Sequence, residues 1–549
     1  MSRYLVTVET VKIKDFIFST NKLKLIRGAS FLLDYLNQVK VPEILLKNGV
    51  SKDNIIYIGA GNAKFFVDTL DVAKNIAKEV KDIYKKEAPN SKVVVAFKEI
   101  TFDGEKSQGK DRIWDDIDDL AKEVAIEKSK GFPIINIGIP YVEKCSLCGT
   151  NPVEVSTEKI REDLERLKIS TDEIHKIREQ IERLTQGKGR ICEECLRKLI
   201  FSNLIKDDKH KIGFYGRLKD SEKGFGEDID FDTEIEDYES NKSFIGFMYS
   251  DGDGLGDFLK NISDEFKKKD SEKEYIEFLK EFSEKLDNNT KESLLEVLKK
   301  KFENIDKDKI KKEKIIGEFL IVGGDDVCAI FNPNLVLEIS NDFQKVFEKK
   351  MKEYTEAKGI DKRITSSSGV VIAKSKTPIY HLFEQSLKLQ KNAKKKRYNG
   401  GVLKTGYIDF QVIGSEGCVD IKNFREKISK EKNQTIERPY SINKEERTET
   451  FESLIKIIRE FKKEKFPKTK LRYIYELKRN DSMENFEKKM DFINYLSKMA
   501  GNHVALVNKI TDVDYLNYNK FDNKFGNIFD ILELYDFIDE NEGGNNSED

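Results

Sequence analysis

Two short acidic, glycine-rich stretches, each set against an apolar run, restrict this chain's folding choices more than any other feature. They are Tyr249-Ser-Asp-Gly-Asp-Gly-Leu-Gly256 and Val322-Gly-Gly-Asp-Asp-Val327. Residues 244–249 are apolar and aromatic and read as a buried strand, with Asp251 at its end. Gly252, Gly254 and Gly256 admit close backbone approach where side chains would obstruct. From Leu255 the pattern reads as the first turns of a helix, whose N-terminus offers N–H groups to a triphosphate. In the second stretch, 315–322 reads as a strand, Gly323-Gly324 as a tight turn and 327–331 as the returning strand, a hairpin with Asp325 and Asp326 at its tip. Carboxylates from a strand end and a neighbouring hairpin tip are hard oxygen ligands of the kind Mg²⁺ or Mn²⁺ takes. Two such ions beside a phosphate chain are the minimum equipment for nucleotidyl transfer. Asp251, Asp325 and Asp326 are therefore the candidate metal-binding and catalytic residues. Asp253 is either a ligand or a helix cap, and is read as supporting the ligands.

Either stretch alone is ordinary turn chemistry; the pair, in order and each with its strand, points to a site. A further strand over 364–373 carries Ser366 and Ser367, which either line the nucleotide pocket or are simply exposed at a strand end. It runs into a helical pattern over 380–396 that ends in lysines. Lys391, Lys394 and Lys395 are candidates to steady phosphates; a solvated basic helix end accounts for each of them equally well.

The first 100 residues repeat the order strand, helix, hairpin, helix, strand. Strands are expected at 4–9, 54–59 and 92–97, with a glycine turn at 59–62 where the second copy has Gly323–Asp326. This reads as an internal duplication whose first copy lacks the metal-binding carboxylates. Lys22, Lys24 and Arg27 in its first helical stretch are read as surface charge.

Cysteine use gives an independent signal. Cys145 and Cys148, then Cys192 and Cys195, form two Cys-x-x-Cys pairs that together suit one structural tetrahedral Zn²⁺. Disulfides compete as an explanation but need an oxidising compartment. Cys328 and Cys418 are read as incidental thiols.

The order DGDGLG, GGDD, SSGVVIA and lysine-rich helix resembles the palm domain of the large polymerase-like subunit of type III CRISPR effector complexes, the Cmr type most closely. The segment from Asp15 to Leu36 is similar to the opening of that family's first palm. The resemblance implies an α/β (α+β) fold with two ferredoxin-like palms, a zinc module between them and a C-terminal helical domain that docks on small helical subunits. The expected boundaries are 1–140 for the first palm, 141–215 for the zinc module and 243–415 for the second palm. The helical domain is expected over 440–540, with a disordered acidic tail over 541–549. The resemblance also implies a nucleotidyltransferase, activated by target RNA, that releases pyrophosphate and makes a second messenger from ATP. The product is cyclic oligoadenylate or, with S-adenosylmethionine as co-substrate, an AMP conjugate. Other subunits of a Cmr-like complex would be the partners, with guide and target RNA reached through them. A non-enzymatic scaffold subunit and a free-standing cyclic-nucleotide synthase stay open as alternatives.

Composition bounds this reading. The chain has 549 residues, enough for three or four domains, and 36% are charged with a net charge of −2. That balance does not announce a nucleic-acid binder by itself. There is no run of eighteen apolar residues and no signal-peptide pattern, so no membrane association and a cytoplasmic location are expected. Larger members of the resembled family begin with a histidine–aspartate nuclease. The four histidines here are scattered and none precedes Asp, so no nuclease is expected in this sequence.

Overall fold

The computed structural model describes residues 3–59, 61–130, 141–155, 171–205, 212–226, 233–240, 242–302, 317–398, 405–414, 423, 425, 438–444, 450–479, 494–510 and 527–540. Cys418 and the tail 541–549 lie outside them. Two sheets organise the described residues. The first comprises β1 (Arg3–Val11), β2 (Ile55–Gly59), β3 (Asn62–Val67) and β4 (Lys92–Ile100), in the spatial order β2-β3-β1-β4 with all pairs antiparallel. The alternation in Arg3–Val11 suits this central position, and Leu5, Val6 and Val8 are fully buried. Helices α1 (Ile13–Ile17) and α2 (Leu23–Tyr35) connect β1 to β2, α3 (Leu70–Glu87) connects β3 to β4, and α4 (Ile113–Ser129) follows β4. The chain is not one helix from 16 to 37, as the sequence suggests, but breaks between α1 and α2.

The second sheet repeats this plan and extends it. Its strands are β5 (Phe244–Asp253), β6 (Glu318–Gly323), β7 (Asp326–Phe331), β8 (Thr365–Lys374), β9 (Tyr407–Ile413) and β10 (Tyr440–Ser441), in the order β10-β9-β8-β5-β7-β6. The four strands β8-β5-β7-β6 match β4-β1-β3-β2 of the first sheet. Both sheets are thus ferredoxin-like, built from strand, helix, hairpin, helix and strand, and the duplication read from the sequence is present in the topology. The intervening helices are α5 (Glu193–Leu204), α6 (Leu255–Lys269), α7 (Glu272–Phe302), α8 (Pro333–Ala357) and α9 (Ile379–Tyr398).

Helices α8 and α9 cover opposite faces of the second sheet. A methyl group on Gly246 would meet Val336 of α8, and one on Gly369 would lie 2.0 Å from the Ser386 carbonyl oxygen of α9. Gly369 pairs with Tyr249, three residues from Gly246 and hence on the other face. That is why Ile245, Phe247, Met248 and Tyr249 are all essentially inaccessible: the strand is apolar without interruption because both sides are covered.

The first half docks on the second through charged groups that the sequence does not mark as buried. Arg27 is 2% exposed and Lys24 4%, so neither is surface charge; Lys22 is exposed. The Arg27 guanidinium grips both oxygens of Glu318 on β6 and donates to Thr233 Oγ1 at 2.7 Å. Tyr215 donates to the same carboxylate at 3.0 Å. Burial of a pair this completely bonded is tolerable, whereas either member alone would be costly. Next to it, α2 and α5 approach so closely that a methyl group on Gly28 would lie 1.6 Å from the Lys198 carbonyl oxygen.

At the C-terminal end, α10 (Phe451–Lys463), α11 (Lys468–Arg479), α12 (Gly501–Ile510) and α13 (Ile528–Leu534) pack together. Phe451, Leu454, Ile455, Ile458 and Phe461 form the expected single buried stripe. Arg438 is fully buried against Asp530 and Glu533 and ties α13 to the second sheet. Among the described residues, no helix is long and apolar enough to cross a membrane.

Candidate nucleotide and metal site

The two acidic stretches meet. Strand β5 does not end at Tyr249 but stays paired with β8 through Asp251↔Ser367, Gly252↔Ser366 and Asp253↔Thr365. Asp251 therefore projects from a braced strand rather than from a loose strand end. The hairpin β6–β7 closes with Gly323 opposite Asp326, and Gly324 takes the left-handed conformation at φ 61°. Its Asp325 side chain lies directly over Gly252: a methyl group at 252 would sit 2.8 Å from both Cβ and Oδ2 of Asp325. Gly252 is thus required by the partner carboxylate. Gly254 starts α6 in the left-handed region at φ 67°, and a side chain at Gly256 would face open space, leaving the helix N-terminus accessible.

The electrostatics record the convergence. Burial, then the charges of Asp251 and Asp326, push the Asp325 carboxyl up to about 7. Asp326 is raised chiefly by burial and partly compensated by Lys14. Lys394 of α9 contacts Asp251 and donates to the Gly252 carbonyl at 2.7 Å, while Gln390 reaches Asp251 at 3.3 Å. Lys391 and Lys395 are exposed on the same helix, so only one of the three candidate lysines reaches the acids here.

Three further placements differ from the simplest sequence readings. Asp253 is 1% exposed and accepts from Thr365 Oγ1 at 2.9 Å and Ser367 Oγ at 2.8 Å. Ser366 and Ser367 are 1% and 0% exposed. They are not exposed serines at a strand end, because β8 is an interior strand between β5 and β9. Ser366 meets Ser250 at 2.7 Å, on the opposite side of the sheet from Asp251 and Asp253.

Residues that motif reading missed complete the site. Tyr249 donates to Asp326, and Lys14 of α1 lies 3.6 Å from the same Asp326 oxygen while contacting the Tyr249 hydroxyl. Helix α7 grips the hairpin tip at one residue, Gly324, from both of its flanking peptides. Asp287 accepts from the Gly324 N–H at 2.9 Å, and Thr290 donates to the Gly324 carbonyl at 2.6 Å. Asp287 is held in turn by Lys291 at 2.6 Å. The sequence signal was faint: Asp287 and Thr290 sit three apart, on one helix face, within an otherwise charged insertion.

Asp251, Asp325 and Asp326 are hard oxygen donors of the kind divalent cations take. Burial, then the neighbouring charges, raises Asp325, and both partnering lysines sit where positive charge relieves that repulsion. The grouping is looser than that of the cysteines, because Asp326 turns toward Tyr249 and Lys14. Cys145, Cys148, Cys192 and Cys195 place all four sulfurs within 4.8 Å of one another, the one such cluster of metal-binding side chains among the described residues. Cys148 and Cys192 sulfurs are 3.9 Å apart, close to the ~3.8 Å edge of a tetrahedron with Zn–S bonds of about 2.3 Å. Backbone N–H groups of Leu147 and Cys195 point at the sulfurs of Cys145 and Cys192, both at 3.4 Å, as thiolate ligands require. All four thiols are free of disulfides.

A separate cleft of about 980 Å³ lies between α8 and α10. Its basic and acidic side chains are largely paired, with Arg459 and Lys301 both 2.6 Å from Glu338.

Comparison with known proteins follows the same two sheets. Residues 244–401 match the family model "Cas10/Cmr2, second palm domain", and residues 3–137 match "Csm1 subunit domain B". Among solved structures, a Csm1–Csm4 cassette in complex with cA3 aligns at a TM-score of 0.54 and 15% identity, covering 97% of this chain and 69% of that one. The cassette in complex with one ATP aligns at 0.53 and 15%, covering 98% and 70%. The cassette in complex with cA4 aligns at 0.45 and 15%, covering 74% of this chain, which spans only 54% of that chain's length. At this identity the cA3 and ATP cassettes show a shared fold. No curated protein sequence matches.

Proposed function

We propose that this chain, which belongs to the Cas10 family of large subunits of type III CRISPR effector complexes, is a nucleotidyltransferase that makes a nucleotide second messenger from ATP. The observation that carries the proposal is the packing of Asp325 against Gly252, which brings its carboxylate onto Asp251. Solved cassettes of the same fold carry cA3 and ATP, which supports a nucleotide substrate.

Asp251, Asp325 and Asp326 would hold Mg²⁺ or Mn²⁺. When bound, such ions neutralise a triphosphate and acidify an attacking hydroxyl. The chain's own groups set the stage for this. Gly252 leaves room for Asp325, and Gly254 and Gly256 open the N-terminus of α6 to phosphate oxygens. Leu255 and Gly323 complete the two turns. Lys394, with Lys391 and Lys395 beside it, supplies positive charge on the leaving-group side, and pyrophosphate departs. Asp253, Ser366 and Ser367 act indirectly, by holding the strand that presents Asp251.

The same reading assigns 1–140 and 243–415 as the two palms, 141–215 as a module closed by structural Zn²⁺ on the four cysteines, and 440–540 as a helical domain that meets other subunits. Guide and target RNA would be sensed through those subunits, in the cytoplasm. The product is cyclic oligoadenylate; an AMP conjugate of S-adenosylmethionine uses the same donor chemistry.

The test uses the chain assembled with its complex subunits, target RNA, ATP and Mg²⁺, with products identified by mass spectrometry with and without S-adenosylmethionine. Nucleotide product from the native chain and none from D325A/D326A is expected. Product retained in the double variant removes the site assignment. Absence of product from a folded native complex favours the scaffold alternative, and synthesis by the chain alone without RNA favours the free-standing enzyme.

A further inference from the structure

We infer that Lys14, contributed by the first half of the chain, is the resident counter-ion of Asp326 and hands that carboxylate over when a divalent cation and a nucleoside triphosphate enter, pairing then with the triphosphate. The inference rests on the acidic site being a metal–nucleotide site.

Two independent observations carry it. The first is the contact itself. Lys14 Nζ lies 3.6 Å from Asp326 Oδ1, contacts the Tyr249 hydroxyl and stands 4.4 Å from the centroid of the Tyr249 ring. Tyr249 donates to the same Asp326 oxygen as a neutral phenol, so the ammonium is the cation in this trio.

The second observation is the anchoring of the segment that carries Lys14. Just beyond α1, Phe18 stacks on Phe383 of α9 with centroids 4.5 Å apart and planes at 16°. Phe383 in turn meets the Tyr249 ring edge-on at 5.7 Å. On the other side, the buried Lys198 of α5 donates to the Phe16 carbonyl at 2.8 Å and to Ser19 Oγ at 2.7 Å. The backbone bearing Lys14 is thus clamped between the cysteine-led helix α5 and helix α9. The Lys14 side chain, by contrast, is 31% exposed. The backbone is fixed, while the ammonium reaches solvent.

The chemistry follows from this asymmetry. A half-exposed ion pair is weak and exchanges readily. Lys394 is held more firmly at Asp251, by the carboxylate and the Gly252 carbonyl together. Lys14 is held by Asp326 and by the Tyr249 hydroxyl and ring, and its one charged partner is lost when the carboxylate turns to another cation. A compact ammonium released beside an incoming triphosphate pairs with its phosphate oxygens as a point charge.

The test measures binding rather than turnover. Mn²⁺ titrations of the full chain, followed by electron paramagnetic resonance without nucleotide, compare the native protein with K14Q, K14M and K14R. K14M keeps the aliphatic stem over the Tyr249 ring, so one neutral variant survives if K14Q misfolds. Loss of a competing ammonium is expected to tighten Mn²⁺ binding by about two- to fivefold in the neutral variants, with K14R near native. A non-hydrolysable ATP analogue is expected to bind more weakly to the neutral variants at saturating Mn²⁺. Unchanged or weaker Mn²⁺ affinity in both neutral variants overturns the counter-ion role, and unchanged nucleotide affinity overturns the hand-over. A native chain that takes up no Mn²⁺ refutes the metal-site reading itself, a result distinct from either.

Discussion

Replacing Asp325 by Asn should stabilise the metal-free protein while abolishing its product. The carboxyl of Asp325 is raised from 3.8 to about 7, first by burial and then by Asp251 and Asp326. Between those two values the folded chain keeps a proton that the unfolded chain has lost. The folded state is therefore favoured at the acid end, and that advantage drains away as pH rises from about 4 to about 7. The gap is about three pH units, or roughly 4 kcal/mol at about 1.4 kcal/mol each. Asp325 is half-buried rather than sealed, and solvent screening reduces this to about 2 kcal/mol. Asn has the same shape, cannot ionise, and can donate its amide to Asp251.

The assay is thermal denaturation in EDTA at pH 4.5, 6, 7 and 8, comparing the native chain with D325N. The variant's advantage should be near zero at the acid end and level off above pH 7. For a cooperative unit of about 150–250 residues, ~2 kcal/mol corresponds to roughly 4–8 °C. Added Mg²⁺ should raise the native midpoint and erase the difference. A D325N protein that melts at or below the native one at pH 8 would refute the reasoning, because it would mean that Asp325 is not held against like charge.

Further expectations concern the groups around the acids. Protein purified without chelator should carry about one zinc per chain by elemental analysis, and C148S or C192S should lose it and expose the Cys192–Leu204 region to protease; full zinc content in either serine variant would contradict a four-thiolate site. Thr290→Val removes the 2.6 Å bond to the Gly324 carbonyl with little change in shape. It should cost about 1 kcal/mol and raise the Mg²⁺ concentration needed for half-maximal product formation several-fold; an unchanged Mg²⁺ requirement would show that α7 does not set the hairpin's position.

The acidic strand, the hairpin and the duplication were legible because their signals are local. Glycine marks left-handed or close-approach backbone within a few residues of the apolar run it interrupts, and the four-cysteine spacing is equally self-contained. What the sequence hid is charge whose burial depends on distant partners. Arg27 and Lys24 look like surface residues on a helix. Arg27 is sealed only because Glu318, 291 residues away, meets it with both oxygens. Lys198 is buried for a similar reason, its ammonium satisfied by the 16–19 segment. The serines of β8 misled in the opposite direction. A polar run at a strand end reads as exposed, yet β9 covers its outer edge in parallel register from Ser368 onward, and the hydroxyls of Ser367 and Ser366 bond to Asp253 and Ser250.

The two equivalent hairpins explain how one copy keeps the acids while the other does not. Gly59 pairs with Asn62 in the first sheet as Gly323 pairs with Asp326 in the second, so each tip is a two-residue turn at the same place in the same topology. Strand β2 of the first hairpin packs against α7. That helix is fastened to the first half at its start, where Glu272 accepts from the backbone N–H groups of Ser107 at 3.0 Å and Ile113 at 2.8 Å. Lys280 adds a bond to the Asp53 carbonyl. About two turns further along its length, α7 presents Asp287 and Thr290 to Gly324. The first sheet thus fixes the helix that fixes the acidic tip, and through α1 it also delivers Lys14 to Asp326. Carboxylates at the 59–62 turn would serve neither task. A displacement of one half against the other would be felt at Asp325 through α7 and at Asp326 through α1, and this double attachment makes the acidic site responsive to how the two halves are held.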